Sequence, residues 1–359
     1  MSGPRLEPKR ALEIDNALRV AEDIFAERTV WEGRPFHVEI STNNACNLSC
    51  VMCERPDLSY ISGEKLDVVA DVVLPHASVI TPSATSEPAM GDFDRILDHC
   101  EKHDLRLNLI TNGNLITDRH IDRLRGRIFK VDFSIDSHIP SVYEQIRVGG
   151  RHGRMLAGLR RLVRLQQEEG FQLTLIVVLM KQNLTTLDGT MSFARQVGVD
   201  RVRVQKMLPF FKDPHRFHVD EHFSADEIRL HIGRAVAAAK RENINLELAL
   251  DPVEHHRAPG IAEPEVTPPV VVNTLYEAVM EKKKGFCFQL ASYVRIIPNG
   301  NVYPCCRGWG EHLRMGNIFE QSFDEIWNGP EYQKLREEFL SGDLREGCRQ
   351  CTLSGQGTL

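Results

Sequence analysis

The sequence lacks several features that would place the protein at a membrane or on nucleic acid. No apolar run reaches the roughly 18 to 20 residues that a membrane-spanning helix needs. The start of the chain lacks the hydrophobic stretch of a signal peptide, and no long basic block is present. Nucleic-acid binding needs a clustered positive field, whereas the formal net charge here is −6. We therefore expect a cytoplasmic protein with no membrane partner and no nucleic-acid partner.

The composition supports a folded chain with an unusual set of cysteines. Apolar residues make up 42% of the 359 positions, which excludes disorder and allows one large domain plus a smaller one. In a reducing cytoplasm cysteines serve as metal ligands or nucleophiles more often than in disulfides. The nine cysteines are at positions 46, 50, 53, 100, 287, 305, 306, 348 and 351.

Extended apolar segments alternate with amphipathic helical segments through the first two thirds of the chain. The predicted strands are Phe36 to Ser41, Ser78 to Thr81, Arg106 to Ile110, Lys130 to Ser134, Leu173 to Leu179 and Arg201 to Lys206. Helices are predicted at 64–75, 92–103, 117–127, 151–169, 185–197 and 224–242. This order predicts an α/β fold with parallel strands, and six units suit an open, partial barrel better than a closed eight-stranded one.

We divide the chain into four segments on this pattern. They are a helical extension at 1–35, a barrel core at 36–208, a helical and proline-rich connector at 209–285, and a small domain at 286–359. In the last segment Asn299-Gly300 predicts a β-hairpin turn between Tyr293 to Ile297 and Val302-Tyr303. One amphipathic helix is predicted over about Ser322 to Ser341.

Three cysteines follow the first predicted strand as Cys46-Asn-Leu-Ser-Cys50-Val-Met-Cys53. In parallel sheets, sites lie at the carboxyl ends of the strands, so this position favours function. Three thiolates are one short of a closed four-coordinate site, and a four-iron cluster held by three cysteines keeps one iron open. The alternatives are ordinary thiols and a zinc site that a distant histidine completes.

With polar clusters at three further strand ends, this C-x3-C-x2-C trio resembles the radical S-adenosylmethionine (SAM) enzymes. The resemblance implies a partial (βα)6 barrel like that of TIM, and a [4Fe-4S] cluster held by Cys46, Cys50 and Cys53 whose fourth iron binds SAM. Reduction of that cluster would cleave SAM to a 5′-deoxyadenosyl radical, which abstracts a hydrogen atom from substrate. The resemblance also implies a reducing partner such as flavodoxin or ferredoxin.

The same resemblance assigns residues around the cofactor. Thr85-Ser86-Glu87-Pro88 stands where the family has Gly-Gly-Glu-Pro, so Ser86 and Glu87 are expected beside the methionyl ammonium of SAM. Met52 replaces the aromatic residue that usually precedes the third cysteine. A methionine there can still lie along the adenine edge.

Strand-end positions supply the remaining expected SAM contacts. Asn112 and Ser134 occupy positions that in the family face the ribose and the carboxylate of SAM. Arg147 is expected to pair with that carboxylate. Each of these residues alone also fits a turn or a helix cap.

Four C-terminal cysteines form a second set, which as chemistry alone suits zinc or an iron–sulfur cluster. Cys287, Cys305, Cys348 and Cys351 follow the pattern Cys-x9–15-Gly-x4-Cys and then Cys-x2-Cys, which resembles the SPASM and Twitch auxiliary-cluster domains. The resemblance implies a second [4Fe-4S] cluster. A full SPASM domain would have a further cysteine at 357, where this sequence has glycine, so we expect the shorter Twitch type, a small β-hairpin and helix domain.

Two cysteines remain outside both sets. Cys306 follows a predicted ligand directly and is expected on the other face of the hairpin, while Cys100 reads as a small buried hydrophobe. Either thiol could return a hydrogen atom to a substrate radical. We take Cys306, Lys206 and Tyr143 as candidate catalytic residues and assign no metal ligation to the histidines.

These residues lead to three functional hypotheses. The first is a radical SAM oxidoreductase of natural-product biosynthesis that oxidises, epimerises or decarboxylates a small polar substrate such as a sugar, aminocyclitol or nucleoside. The alternative is modification of a ribosomally made peptide by a thioether or carbon–carbon crosslink. It ranks second because the residues before the first strand are too few for a peptide-recognition domain. A non-catalytic metal-binding module ranks third.

Overall fold

The computed structural model describes residues 8–53, 58–207, 214–250, 256–257, 277–279, 281–283, 286–306, 313–349 and 351. The chain forms two compact units. The first consists of Met1–Asn43, Ser59–Leu107 and Thr267–Leu359, and the second of Asn44–Leu58 and Asn108–Val266. None of the described helices has the length and apolarity needed to cross a membrane.

The described strands are numbered along the chain. They are β1 His37–Ile40, β2 Val79–Thr81, β3 Arg106–Thr111, β4 Ile128–Ser134, β5 Gln172–Leu179, β6 Arg201–Lys206, β7 Asn245–Ala249, β8 His256–Arg257, β9 Tyr293–Ile296, β10 Asn301–Tyr303 and β11 Gly316–Asn317.

The described helices are numbered in the same way. They are α1 Pro8–Phe25, α2 Gly63–Val73, α3 Phe93–Lys102, α4 Asp118–Leu124, α5 Pro140–Ile146, α6 His152–Glu169, α7 Leu187–Val197, α8 Pro214–Phe217, α9 Ala225–Glu242, α10 Gln289–Ser292, α11 Phe323–Trp327, α12 Pro330–Ser341 and α13 Glu346–Arg349. Short 3-10 turns lie at Pro88–Met90, Leu184–Thr186 and Val219–Glu221.

In the first unit, β1 lies between β2 and β9 and is parallel to both. His37 pairs with Val79 of β2 on one side and with Tyr293 of β9 on the other. On its far side β9 forms an antiparallel hairpin with β10, and β10 pairs with β11. The turn of this hairpin contains Gly300 at φ +87°, as the Asn-Gly pair predicts. The C-terminal hairpin is thus hydrogen-bonded directly to the first strand.

In the second unit, β4, β5, β6 and β7 are parallel neighbours in that order, and β8 is antiparallel to β7. Strand β5 is buried on both faces, because helices of the βα crossovers cover a parallel sheet. Strand β6 alternates instead: Val202 and Val204 are fully buried, and the polar residues between and beside them are half-buried. Strand β7 lies inside the segment that the sequence assigns to a connector, so the sequence missed one parallel strand.

Six predicted strands and six predicted helices are present within one to three residues of their predicted ends. The helix predicted over 322–341 is wrong, because two helices occupy this range. After α11, Gly329 adopts an extended conformation and acts as the N-cap of α12. Pro330 then begins α12, since proline lacks the N–H that a continuous helix would need there.

The four-segment division stays a prediction. Much of the predicted connector, including 258–276, lies outside the described residues.

Candidate active site

The first cysteine trio lies in a loop of the second unit, and backbone hydrogen bonds fix the shape of that loop. Ser49 N donates to the carbonyl of Val148 at 2.7 Å, and Val51 N donates to that of Ile146 at 2.9 Å. A turn within the loop brings Cys53 N to within 3.1 Å of Cys50 O. Backbone carbonyls at the end of α5 and just after it therefore fix the conformation of the cysteine loop.

Buried apolar side chains also hold the same loop in place. Leu48, Cys50 and Met52 are buried in one cluster with residues of α5 and of the ends of β5 and β6. Met52 is 2% exposed and lies inside this cluster, whereas Cys46 is half-buried and Cys53 is exposed. The loop thus fixes one cysteine in the core and presents two at its surface.

An ion pair stands directly behind Cys50. Arg147 Nε donates to Asp136 Oδ2 at 2.8 Å, and its Nη1 lies 3.9 Å from Cys50 Sγ. Asp136 has a left-handed backbone conformation, with φ +56°, and its Oδ1 accepts a hydrogen bond from Val178 N at 2.8 Å. Sequence reasoning placed Arg147 at the carboxylate of SAM, but its Nε is committed to Asp136.

The charge behind Cys50 favours the form of the thiol that binds iron. A hydrogen bond from the Cys53 thiol and the guanidinium of Arg147 together lower the pKa of Cys50 to about 7. Metal ligation requires the thiolate, and a nearby cation stabilises it. None of the nine cysteines is in a disulfide. The donor set and its electrostatics therefore fit a cluster held by Cys46, Cys50 and Cys53.

A turn after β3 contacts the trio through amide side chains. Asn112 Nδ2 donates to Asn47 Oδ1 at 2.9 Å and lies 3.8 Å from Cys46 Sγ. The next residue, Gly113, has φ +74°, and a side chain there would meet the ring of Phe133. A glycine is therefore required to bring Asn112 to the cysteine loop.

Tyr143, a candidate catalytic residue, is fully buried on α5. Its hydroxyl accepts a hydrogen bond from Asn114 Nδ2 at 2.7 Å, and burial raises the pKa of Tyr143 to about 12. The phenol is thus protonated and tied to the turn that follows β3. This placement supports a positioning role for Tyr143, because its partner Asn114 lies two residues after Asn112 in the same turn.

The other predicted residues of this unit lie at the ends of their strands. Ser134 is the last residue of β4 and is half-buried. Lys206 is the last residue of β6, and its Nζ lies 3.1 Å from Asp220 Oδ2. The ion pair leaves the lysine side chain 43% exposed.

Ser86 and Glu87 belong to the first unit, where they follow β2. Ser86 Oγ donates to Asn43 O at 2.8 Å and lies 2.7 Å from Ser83 Oγ, so local hydrogen bonds fix this loop. Glu87 is 2% exposed and precedes the short turn Pro88–Met90. A buried carboxylate at a strand end is the arrangement expected for binding an ammonium group.

A buried ion pair that sequence reasoning missed supports the Ser86–Glu87 loop. Glu39 of β1 accepts a hydrogen bond from Ala84 N at 3.2 Å and lies 3.2 Å from Arg295 Nε. Arg295 also approaches Thr85 Oγ1 at 3.3 Å, and the Tyr293 hydroxyl donates to Glu39. The sequence signal for this pair is a charged residue within an otherwise apolar strand. Glu39 is that residue in β1, and Arg295 is that residue in β9.

The C-terminal cysteines also lie in the first unit. Burial raises the pKa of Cys287 to about 12, and the nearby thiols of Cys351 and Cys348 add to the rise. Cys305 follows β10 and interacts with Tyr332, while Cys306 interacts with Tyr293. That Cys306 points away from Cys305 stays a prediction. The sulfur donors suit a closed iron–sulfur site.

Two family models match the parts of the chain that contain the two cysteine sets. The family model of the radical SAM superfamily matches residues 40–194. That of SPASM, an iron–sulfur cluster-binding domain, matches residues 287–352. The chain belongs to the radical SAM superfamily. The SPASM match confirms the predicted C-terminal cluster domain of this radical SAM protein.

Several relatives align with most of this chain. An AdoMet-dependent heme synthase of Methanosarcina barkeri is 27% identical over 327 residues, which are 85% of this chain and 88% of that protein. A PqqA peptide cyclase of Granulibacter bethesdensis is 21% identical and covers 88% of this chain and 79% of its own. SuiB of Streptococcus suis, solved with S-adenosylmethionine, superimposes with a TM-score of 0.59 at 17% identity, covering 89% of this chain and 71% of SuiB.

These comparisons confirm the predicted fold and cofactors. The protein is an α/β radical SAM enzyme with a partial TIM-like barrel, and it uses SAM, a SAM-binding [4Fe-4S] cluster and an auxiliary one. Cys46, Cys50 and Cys53 lie within the radical SAM match, and Cys287, Cys305, Cys348 and Cys351 lie within the SPASM match.

Proposed function

We propose that this radical SAM enzyme modifies a peptide by forming a thioether or carbon–carbon crosslink. The observation that carries the proposal is the match to a PqqA peptide cyclase over 88% of this chain, which spans both cysteine sets. SuiB, which shares the fold, has also been solved with its precursor peptide SuiA. The names of these relatives give no support to the sugar or aminocyclitol substrate that we expected from the sequence.

The residues of the second unit have separate roles in this proposal. Cys46, Cys50 and Cys53 would hold the SAM-binding cluster, and the charge of Arg147 favours the thiolate of Cys50. Asn112 orients the loop through Asn47. When bound, the SAM-binding cluster would supply the electron that cleaves SAM, and the auxiliary cluster would accept the electron that the substrate releases.

The first unit supplies the ammonium contact and the auxiliary site. Glu87 would accept hydrogen bonds from the methionyl ammonium, and the Glu39–Arg295 pair fixes the loop that carries Glu87. A crosslink removes two hydrogen atoms from the peptide. One would pass to the radical that the cluster and SAM supply, and the other would leave as a proton and an electron.

A second candidate is a step of heme formation. The heme synthase of Methanosarcina barkeri has the higher identity, 27%, and covers 88% of its own length. A heme precursor is then the substrate in place of a peptide.

The test compares substrates directly. Reconstituted enzyme with SAM and dithionite is given a pool of synthetic peptides, an iron–porphyrin with carboxylate side chains, or a set of sugars and aminocyclitols. We expect 5′-deoxyadenosine formation to rise with peptides alone, with a peptide product lighter by two hydrogen atoms. The Cys46/Cys50/Cys53→Ala variant is the control and gives no 5′-deoxyadenosine. Turnover with porphyrin or sugar and none with peptides would overturn the proposal.

A further inference from the structure

Two helices of the first unit bring three ligand-type side chains together outside both cysteine sets. Asp71 lies on α2, His99 lies on α3, and His103 is the C-cap of α3. One ligand atom from each residue lies within 4.8 Å of the other two. His99 and His103 are one helical turn apart, so they share a face of α3 and their rings are nearly parallel, at 12°. The His-x3-His spacing is the sequence signal of such a pair, and our expectation that no histidine binds metal overlooks it.

His99 has a buried nitrogen with no hydrogen-bond partner. The residue is 5% exposed, and its Nε2 lies 2.8 Å from Asp67 Oδ1. Asp67 is a carboxylate, because Arg95 donates to both of its oxygens at 2.8 and 2.9 Å. It can only accept, so Nε2 carries a proton, and in the neutral ring Nδ1 has the lone pair. Nδ1 is buried and unpartnered, and Asp71 Oδ1 lies 3.9 Å away.

This arrangement is the one that proteins use to prepare a histidine for metal binding. A ligating histidine usually donates its second N–H to a carboxylate, which fixes the tautomer and the orientation of the ring. Asp67 does this for His99, and Arg95 holds Asp67 in place. A buried lone pair without a donor is costly in a protein, and a metal ion would satisfy it.

The distances are close to those of a zinc site. Bonds of about 2.0–2.1 Å in a tetrahedral site place neighbouring ligand atoms about 3.3 Å apart. His103 Nε2 lies 3.3 Å from Asp71 Oδ1, and His99 Nδ1 lies 3.9 Å from the same oxygen. Two of the three ligand-atom pairs are therefore near the spacing that one ion needs, and the third pair lies within 4.8 Å.

Lys102 forms an ion pair with Asp71, and a bound cation would have to replace it. Lys102 Nζ lies 2.5 Å from Asp71 Oδ1, and the lysine side chain is 55% exposed. The surface cavity beside it is lined by five aspartates, among them Asp67 and Asp71. The excess of negative charge favours a divalent cation, and the exposed lysine can move aside into solvent.

We propose that Asp71, His99 and His103 bind one Zn²⁺ ion, with water as the fourth ligand, and that the ion joins α2 to α3. Two imidazole nitrogens and one carboxylate oxygen form a ligand set that zinc accepts in proteins. Asp67 is a positioning residue, because it acts on the ion through His99. Lys102 is a competitor for Asp71.

The chain contains a matched control pair with the same spacing. His218 and His222 are also separated by three residues, but both rings have partners. His218 Nδ1 lies 3.0 Å from Asp220 Oδ2, and His222 Nε2 lies 2.9 Å from Arg216 O. The two pairs thus have the same spacing. They differ because His99 has a buried nitrogen without a hydrogen-bond partner.

The main experiment measures metal in the holoenzyme. Enzyme with both clusters assembled is equilibrated with Zn²⁺ under anaerobic conditions and desalted, and zinc and iron are measured in the same sample. We expect one zinc per chain in the wild type and in His222→Ala, and almost none in His103→Ala, whose side chain is 12% exposed, or in Asp71→Asn, whose side chain is 47% exposed. Equal zinc in all four proteins, or zinc that rises only as iron falls, would overturn the proposal.

Two further variants should change the zinc affinity in opposite directions. Lys102→Ala removes the competing ammonium and should tighten Zn²⁺ binding several-fold. Asp67→Asn weakens the acceptor that orients His99 and should loosen binding about 10- to 100-fold. A purely structural ion-pair cluster predicts no such opposition, so unchanged affinity in both variants would count against the site.

Discussion

Arg147 Nη1 lies 3.9 Å from the sulfur of Cys50, while its Nε donates to the buried carboxylate of Asp136 at 2.8 Å. One guanidinium thus serves both a carboxylate of the core and a ligand of the SAM-binding cluster. The positive charge offsets part of the negative charge that three thiolates bring into a partly buried loop. Cluster assembly and local stability are therefore coupled at this residue.

Replacement of Arg147 should destabilise the protein strongly. Arg147→Met leaves Asp136 as a buried carboxylate without its cation, and breaking such a pair costs about 3–5 kcal/mol. Arg147→Met combined with Asp136→Asn should recover part of this loss, because the uncompensated charge is gone. Urea unfolding of the cluster-free protein measures the free energy of unfolding. Arg160→Met, at an exposed position of α6, is the control and should change it by about 0.5 kcal/mol or less. An equal effect of the two single variants would contradict the pairing.

The iron content should separate the two cysteine sets. We expect roughly eight irons per chain in the wild type and about four in the Cys46/Cys50/Cys53→Ala variant, because the C-terminal cluster has its own ligands. The adjacent residues Cys305 and Cys306 provide a sharper comparison, measured as iron and sulfide. Cys305→Ala should lower iron, and Cys306→Ala should leave it unchanged. Loss of all iron from the triple variant would show that the C-terminal site depends on the first one.

Glu87 should control SAM binding without affecting the clusters. Glu87→Gln replaces a carboxylate that accepts from an ammonium with a neutral amide, and a charge-assisted hydrogen bond contributes about 1.5–3 kcal/mol. Since about 1.4 kcal/mol is a factor of ten, the Kd for SAM should rise about 10- to 100-fold. Equilibrium dialysis with labelled SAM measures it, with iron content as a check. Glu64→Gln, an exposed position on α2, should not alter the Kd. An unchanged Kd in Glu87→Gln would remove this residue from the SAM site.

Tyr143 offers a test between a catalytic and a positioning role. Tyr143→Phe removes the hydroxyl that accepts from Asn114, and the net loss of one such hydrogen bond is about 0.5–1.5 kcal/mol. Asn114 Nδ2 keeps two other acceptors, Asn112 O at 3.1 Å and Asn112 Oδ1 at 3.2 Å. We expect cleavage of SAM to 5′-deoxyadenosine to fall by less than about tenfold, measured beside the midpoint of thermal unfolding. A fall of several hundredfold at unchanged stability would assign Tyr143 to the chemistry, as the sequence predicts.

The barrel strands were predictable because a continuous apolar run, as in β5, and an alternation of apolar and polar residues, as in β6, both indicate a strand. Strand β7 was not, since Asn-Leu-Glu-Leu-Ala contains good helix formers and its residues are only partly buried. Val204 and Leu248 pair across β6 and β7, so the sheet itself determines the conformation of this segment.

The metal ligands were predictable because cysteine spacing carries the chemistry directly. The residues that support them were not. Asp136, Glu39 and Arg295 are charged groups whose sequence neighbours say nothing of their partners, and only the folded chain shows that each is buried in an ion pair. The histidine pair on α3 had a readable spacing, but its distinction from His218 and His222 depends on Asp67, which is on another helix.

The pairing of β1 with β9 has a consequence for biosynthesis. During translation, His37 is synthesised about 250 residues before its neighbour Tyr293. One edge of β1 therefore stays unpaired until these residues have been made. Contacts of such long sequence separation slow folding and expose strand edges to aggregation. Chaperone demand during translation, and yield at low expression temperature, should therefore depend on the C-terminal hairpin as much as on the barrel.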